Sequence, residues 1–492
     1  MIQALLAPGR YPDPAQRVEL VQTHISWVLL AGDYAYKIKK PVTLPFLDFG
    51  TLAQRRSFCE IELRLNRRFA PALYLDVVAI TGTPEDPRIG GAGTPIEHAV
   101  KMRRFDENAR LDRLCARGAL TPQHLSELAQ TIVSFHHNAA VAPVDSRFGA
   151  PQEILPPVLE NFQELLALLP RPPWQSRLEA LAAWSRTEFA RLEPLLAARK
   201  AAGRVRECHG DLHLGNLALI GGQVTLFDCI EFNEDFRWID VASEIAFTFV
   251  DLLDHRQPGL ASWFLNEWMS HSGDFEVVPL LRFYAAYRAL VRAKVAAIRA
   301  GQDDADQRKA QDYVALAERI VAPPRPRLII THGLSGCGKT VASTRLLLAD
   351  PDAATLRLRS DVERKRLFGL APQDKSGSAV GGGIYRPDAR RLTYQHLQTL
   401  AQQQLAAGWS TIVDATFLRR ADRAAFQALA AAAGAEFSIL APHATPAQLR
   451  ERILARGQKG HDASEATLAV LDRQMTLIEA LDAHELGYKI DS

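Results

Sequence analysis

Hydrophobic and polar positions change their period along the chain. Residues 25–30 and 35–39 alternate around Gly32-Asp33 and read as two strands of a hairpin; 77–81 and 99–102 read as two more strands. Between these pairs, residues 51–69 are polar, rich in arginine and helical in period. From about residue 121 the pattern is mostly helical, interrupted at 206–228 by two strand-like pieces around a polar loop. A small sheet-rich lobe followed by a helical lobe is the expected layout. Further on, strand and helix alternate: 328–331, a helix through Leu348, 356–358, a long helix over 387–407, 410–413, more helix, 436–440 and a final helical stretch. That alternation predicts a parallel sheet with helices on both faces, a three-layer α/β fold. Between the two patterns stands Pro323-Pro324-Arg325-Pro326, where three prolines in four positions fix φ and remove amide donors. The expected division is a domain over 1–322, a linker over 323–327 and a domain over 328–492. The small, polar, glycine-rich stretch 374–383 is expected to be a mobile loop.

Composition narrows the class. The chain has 492 residues, 47% hydrophobic and 23% charged, which is ordinary globular usage and excludes wholesale disorder or a fibrous repeat. Lys+Arg 58 against Asp+Glu 56 leaves +2, so no chain-wide field attracts nucleic acid, and a nucleic-acid partner is not favoured. Cys59, Cys115, Cys208, Cys229 and Cys337 are scattered without a CxxC spacing, which excludes a disulfide framework and a cysteine-based zinc site and predicts a reducing compartment. The opening residues lack a basic segment before an apolar run, and no apolar run reaches about 18 residues, so neither a signal peptide nor a membrane span is expected. The expectation is a cytoplasmic protein.

Two stretches carry chemistry. The first, Gly333-Leu334-Ser335-Gly336-Cys337-Gly338-Lys339-Thr340, fits G-x-x-x-x-G-K-[ST] at every required position, after a predicted strand and before a predicted helix. Glycines permit a tight loop whose amides converge on a phosphate at a helix N-terminus; Lys339 would neutralise β/γ-phosphate charge and the Thr340 hydroxyl would ligate Mg²⁺. Asp361 follows the second strand of this half and Asp414 ends the third, where open α/β sheets bind ligands. On GLSGCGKT, RSDVERKR, VDATFL and LRERILAR, residues 328–492 resemble the P-loop kinases grouped around polynucleotide kinase, zeta-toxin-like and gluconate-kinase-like enzymes. The resemblance implies that Asp361 is the general base on an acceptor hydroxyl, with Arg364 nearby. It further implies that Asp414 positions Mg²⁺ through water, and that Arg452 and Arg456 come from a lid over the phosphates. A helix N-cap for either aspartate and a solvated helix face for the two arginines are the plainer readings.

The second stretch is His209-Gly210-Asp211-Leu212-His213-Leu214-Gly215-Asn216, followed after an apolar strand by Asp228. Asp and Asn at this spacing, with an Asp on the next strand, match the machinery of protein-kinase-like phosphotransferases: Asp211 would accept the proton of the attacking hydroxyl, while Asn216 and Asp228 would hold Mg²⁺. The HGDLHxxN form resembles the aminoglycoside and choline phosphotransferase branch, which implies an α+β bilobal fold. Within that resemblance, spanning roughly residues 20–300, Lys37 is similar to the strand lysine that reaches the α/β-phosphates. Glu62 falls in the family's phase as its ion-pair partner, with Glu60 the alternative. No G-x-G-x-x-G precedes Lys37; THISWV stands in its place. Zinc binding by Cys208, His209, Asp211 and His213 is disfavoured, because metal sites rarely crowd four ligands onto six consecutive residues. His136-His137 are expected to serve helix packing or a satisfied hydrogen bond, and the basic helix over 282–299 a solvated face over a core stripe.

The fused order resembles a bacterial family of bifunctional aminoglycoside-phosphotransferase-like and ATP-binding proteins. It implies a kinase using ATP and Mg²⁺ at two sites, acting on a hydroxyl of a small molecule or of a nucleotide or nucleic-acid end. The competing expectation is a nucleotide-responsive regulator, with a pseudokinase binding module before an ATPase switch.

Overall fold

The computed structural model describes all residues except 45–46, 170–171, 173, 301–303, 379–381, 460–463 and 491–492, with the side chains of 304 and 456–459 also left out. Part of the glycine-rich stretch 374–383 and the Arg456 side chain therefore lie outside the described residues. Backbone contacts group the chain into two units, Met1–Pro157 with Glu193–Asp251, and Val158–Leu192 with Leu252–Ser492. The proline run 323–326 falls within the second of these.

In the first unit, β1 (Val18–Gln22), β2 (Ser26–Ala31) and β3 (Tyr34–Lys39) form an antiparallel meander. Gly32 turns the chain between β2 and β3 at φ +58°, where a Cβ would stand 2.6 Å from the Pro14 carbonyl oxygen, so only glycine fits. After the short ladder of β4 (Thr43–Leu44) and β5 (Leu47–Asp48) comes α1 (Leu52–Asn66). A capping box starts it: Gln54 N–H donates to Thr51 Oγ1 at 3.2 Å and Thr51 N–H to Gln54 Oε1 at 2.9 Å. Its inward stripe is Arg55, Cys59, Glu62, Leu65 and Asn66, a helical spacing that mixes apolar anchors with buried polar groups. β6 (Tyr74–Gly82), β7 (Pro87–Ile89) and β8 (Glu97–Arg103) complete a six-stranded sheet in the order β1-β2-β3-β8-β6-β7. Cys59, Tyr74 and Val100 close the core between α1 and this sheet.

Helices α2 (Leu111–Ala116), α3 (Pro122–Asn138), α4 (Pro151–Leu168) and α5 (Trp174–Ala201) follow. The strand-like pieces between them and the next helix are β9 (Val205–Glu207), the hairpin β10 (Leu217–Ile220) with β11 (Gln223–Leu226), and β12 (Trp238–Asp240), which pairs with β9. α6 (Val241–Asp254) then packs its apolar residues inward, with Val241, Ala242, Ile245, Ala246, Phe249 and Val250 all buried.

In the second unit, α7 (Pro258–Ser272), α8 (Val278–Ala300) and α9 (Asp304–Val321) precede β13 (Arg327–Thr331). Next come α10 (Lys339–Leu348), β14 (Thr355–Arg359), α11 (Ser360–Leu367), α12 (Pro387–Ala406), β15 (Ser410–Asp414) and α13 (Arg420–Ala432). The chain closes with β16 (Glu436–Leu440), α14 (Pro446–Lys459), α15 (Leu468–Leu477), α16 (Ala483–Leu486) and β17 (Lys489–Ile490). The five strands run parallel in the order β14-β15-β13-β16-β17. β14 is an edge strand, and Asn266 on α7 covers it: its Oδ1 accepts from Arg357 N–H at 2.5 Å and its Nδ2 donates to the Thr355 carbonyl at 3.3 Å. No described helix is long and apolar enough to cross a membrane.

Candidate active sites

In the first unit, strand alternation puts Lys37 and Lys39 on one face of β3, and both ammonium groups reach Glu62 on α1. Lys37 Nζ lies 2.8 Å from Glu62 Oε1, and Lys39 Nζ lies 2.7 Å from Oε2. Lys37 also pairs with Asp228, and Lys39 with Glu231. Glu60 stays on the surface with Arg56, at 2.9 Å. Burial alone would lower the Lys37 ammonium, but Asp228, Glu62 and Glu231 outweigh it and hold its pKa well above the ordinary lysine value. Asp228 sits at φ +63°, a strained conformation for a non-glycine residue. Two side chains hold it there: Asp228 N–H donates to Tyr74 Oη, and Cys229 N–H to Asn66 Oδ1, each at 3.0 Å.

The loop over 209–216 brings Asp211 and Asn216 together. Asn216 Nδ2 donates to the Asp211 carbonyl at 2.9 Å and to its Oδ2 at 3.3 Å, while His213 Nε2 lies 3.4 Å from the same Oδ2. With its amide nitrogen engaged, Asn216 keeps Oδ1 as an oxygen donor; with the Asp228 carboxylate this makes the hard-oxygen set that Mg²⁺ prefers. Beneath the loop lies Glu244 of α6, wholly buried, whose Oε1 accepts from His209 N–H at 2.6 Å and Gly210 N–H at 2.8 Å. Its Oε2 lies 2.7 Å from His136 Nε2. Burial would raise the Glu244 carboxyl, but the His136 hydrogen bond, the charges of His136 and His209 and the Gly210 amide bring it down to about 2. His209 is buried with Nε2 2.8 Å from the Phe227 carbonyl, and burial holds its imidazole below the usual value. Cys208 comes within ligand range of His136 and Glu244. Burial pushes its thiol well up, which opposes a metal-binding thiolate.

In the second unit, the loop after β13 turns through left-handed backbone at Gly333, Gly336 and Gly338, with φ of +138°, +88° and +101°. A Cβ on Gly336 would stand 3.0 Å from the Leu449 carbonyl, so glycine alone leaves that turn open. Lys339 Nζ crosses the loop to the Gly333 and Leu334 carbonyls, at 3.0 and 2.8 Å, and Ser335 N–H donates to Gln474 Oε1 of α15 at 2.8 Å. The loop thus sets Lys339 at the first turn of α10, the placement a polyphosphate requires. Ser335 to Thr340 line a cavity of about 770 Å³ together with Asp361, Asp414 and Arg452. Asp361 lies 3.0 Å from Arg364 Nη1, and Arg364 stacks over the Tyr385 ring at 5.1 Å. Asp414 is buried at the end of β15 with Ser343 Oγ at 3.2 Å from its Oδ2, and Arg452 Nη1 reaches the Gly336 carbonyl at 3.3 Å. Tyr385, Arg390 and Arg419 also line the cavity. Motif spacing points to none of these three, nor to Glu244 or Gln474, and Glu231 carries only the faint signal of an acidic run, Glu231, Glu234 and Asp235, just after Asp228.

Residues 59–268 match the model of the phosphotransferase enzyme family, and residues 328–481 match the AAA domain. The chain joins a phosphotransferase-family segment to an AAA domain. It is an enzyme of the kinase type, an ATP-dependent phosphotransferase that uses ATP with Mg²⁺. An uncharacterized protein of Mycobacterium tuberculosis is 29% identical over 92% of this chain and 89% of its own length. Among solved structures, a choline/ethanolamine kinase family protein from Mesorhizobium loti is 14% identical, covering 64% of this chain and 90% of its own, with a TM-score of 0.41. A gluconokinase from Sinorhizobium meliloti is 18% identical, covering 34% of this chain and 83% of its own, with a TM-score of 0.24.

Proposed function

We propose that the chain holds two separate Mg-ATP sites, one built on residues 1–322 and the other on 328–492, each passing a phosphoryl group to a hydroxyl. The observation that carries this reading is the gathering of Lys339, Thr340, Asp361, Asp414 and Arg452 around one cavity. In that cavity the amides from Gly333 to Thr340 and the Lys339 ammonium hold the β- and γ-phosphates. The Thr340 hydroxyl and Asp414 hold the metal, Asp361 Oδ takes the proton of the acceptor hydroxyl, and Arg452 covers the phosphates. Bound as its magnesium salt, the triphosphate supplies the phosphoryl group.

In the first unit Lys37, oriented by Glu62, takes the α- and β-phosphates, Asn216 and Asp228 hold the metal, and Asp211 is the base. The acceptors are a small polar metabolite there and a small molecule or a nucleotide or nucleic-acid end at the P-loop site. A second reading makes the first unit a pseudokinase regulating the second. It draws on the link between β1 and β2, a tight turn with Thr23 N–H donating to the Ser26 carbonyl at 2.9 Å and no glycine to cover a phosphate.

Replacing Asp211 by Asn and Lys339 by Ala, separately, in the full chain tests both. Product formation with γ-labelled ATP across a metabolite panel loses one activity to each lesion on the first reading. Only Lys339→Ala abolishes product on the second, and the absence of acceptor-stimulated turnover from the unmodified chain defeats both.

A further inference from the structure

A buried cation stands behind the carboxylate of Asp414. Arg357, midway along β14, is 7% exposed, and its guanidinium reaches α10. There Nη1 donates to Ser343 Oγ at 3.3 Å and to Thr344 Oγ1 at 2.7 Å. Among the described residues no carboxylate lies at ion-pair distance from it. Burial brings its pKa down to about 10, so the charge persists at neutral pH. A buried charge without an ion-pair partner is destabilising beside an apolar side chain of similar volume. What Arg357 gives in return lies in its contacts.

Those contacts direct one hydrogen. A guanidinium only donates, so Ser343 Oγ accepts from Arg357 and keeps its own hydrogen for another group. Asp414 Oδ2 stands 3.2 Å from Ser343 Oγ and the Thr340 carbonyl 3.1 Å. The carboxylate is charged and draws the stronger bond. Ser343 thus occupies Oδ2 and leaves Oδ1 for a metal. On its other side Arg357 meets α7. Its guanidinium lies over the Trp263 ring at 5.4 Å, and Asn266, three residues further along the same helix, accepts from its backbone amide. Contacts therefore run unbroken from α7 through Arg357 and Ser343 to Asp414.

We propose that Arg357 is a positioning residue for magnesium at the P-loop site: braced by Trp263 and Asn266, it orients the Ser343 hydroxyl, which fixes the Asp414 carboxylate. The inference rests on the phosphoryl-transfer reading of this site, with Asp414 holding the metal. It adds that the P-loop metal carboxylate depends on α7, a helix that precedes the proline run and begins inside the match to the phosphotransferase family.

The test uses the full chain carrying Asp228→Asn, so that only the P-loop site reports. Calorimetry gives AMP-PNP affinity once in magnesium and once in EDTA, and the ratio measures what the metal adds. Ser343→Ala and Arg357→Met should each cut that ratio about tenfold, the loss expected for an outer partner of a metal ligand, and leave the affinity in EDTA unchanged. Arg357→Lys keeps one donor and should recover part of the ratio. The Ser343→Ala, Arg357→Met double variant should fall no lower than either single variant, because two links of one path do not add. Trp263→Leu should lower the ratio in the same direction, and it tests the Arg357 link if Arg357→Met does not fold. An unchanged ratio in Ser343→Ala and the Arg357 link variant, equal losses with and without magnesium, or additive losses in the double variant overturn the proposal. Asp414→Asn separates the two levels: if it too leaves the ratio unchanged, the failure lies in the metal reading of Asp414.

Discussion

Replacing Glu244 by alanine takes away one carboxylate that serves three donors, the His209 and Gly210 amides and the His136 imidazole. All three sit in the interior, so no solvent replaces the lost acceptor. At about 1–3 kcal/mol for each buried donor left unsatisfied, the change costs about 3–9 kcal/mol. For a unit of this size, that lowers the midpoint of its thermal transition by about 10 °C or more. Glu244→Gln keeps one oxygen and should lose about half as much. The carboxyl is held near 2 in the fold, against an ordinary value of about 4.5. Its contribution is therefore complete above the ordinary value and is lost as the pH falls through about 2, an integrated effect of about 3 kcal/mol. The assay is differential scanning calorimetry of the full chain and both variants between pH 7 and 3, followed by phosphotransfer at a temperature where each is folded. Loosening the 209–211 backbone should lower turnover at Asp211 more than it weakens ATP binding. A Glu244→Ala chain that melts within a degree or two of the parent at neutral pH would refute the reasoning.

Lys39→Met removes the partner of two buried carboxylates and should loosen both Glu62 and the loop carrying Asp228. Measured with the P-loop silenced by Lys339→Ala, KM for ATP should rise several-fold at the first site, and Lys39→Arg should restore part of it. At Gly336, alanine must adopt φ +88° within 3.0 Å of the Leu449 carbonyl, and equilibrium dialysis should show nucleotide affinity at the P-loop falling at least tenfold while Asp211-dependent turnover is kept. His209 and His332 are held below the ordinary imidazole value, chiefly by burial. The unfolded chain therefore binds protons first on acidification, and stability that is complete above pH 6.5 or so should fall as the pH drops toward the folded values, as urea titrations at pH 7.5, 6.5 and 5.5 would register.

Short-range signals carried much of the fold. Gly32-Asp33 between alternating runs announced β2 and β3, and the alternation after Pro326 announced the parallel sheet, because turn chemistry and period are local properties. Sequence spacing also singled out Asp361 and Asp414 at the P-loop cavity, since Asp414 ends β15 and Asp361 follows β14 by two residues, at the carboxyl ends of strands that must face the ligand crevice. What stayed hidden depends on distant pairing. Nothing in VASEIAF marks Glu244 as the acceptor for amides 34 and 35 residues earlier, and a lone buried glutamate reads as a helix polar face. Asn266 capping the edge of β14, across 91 residues, is equally invisible, as is the grouping of 252–321 with the P-loop half. His136, on a helix where packing or a satisfied hydrogen bond is the ordinary expectation, meets it in the bond to Glu244.

The measurement that bears most directly on the account is the stoichiometry of Mg-AMP-PNP binding to the full chain by isothermal titration calorimetry. Two equivalents are predicted, one lost in Lys339→Ala and the other in Asp228→Asn, with both lost in the double variant. A single equivalent that survives both substitutions, or no binding at all, would contradict it.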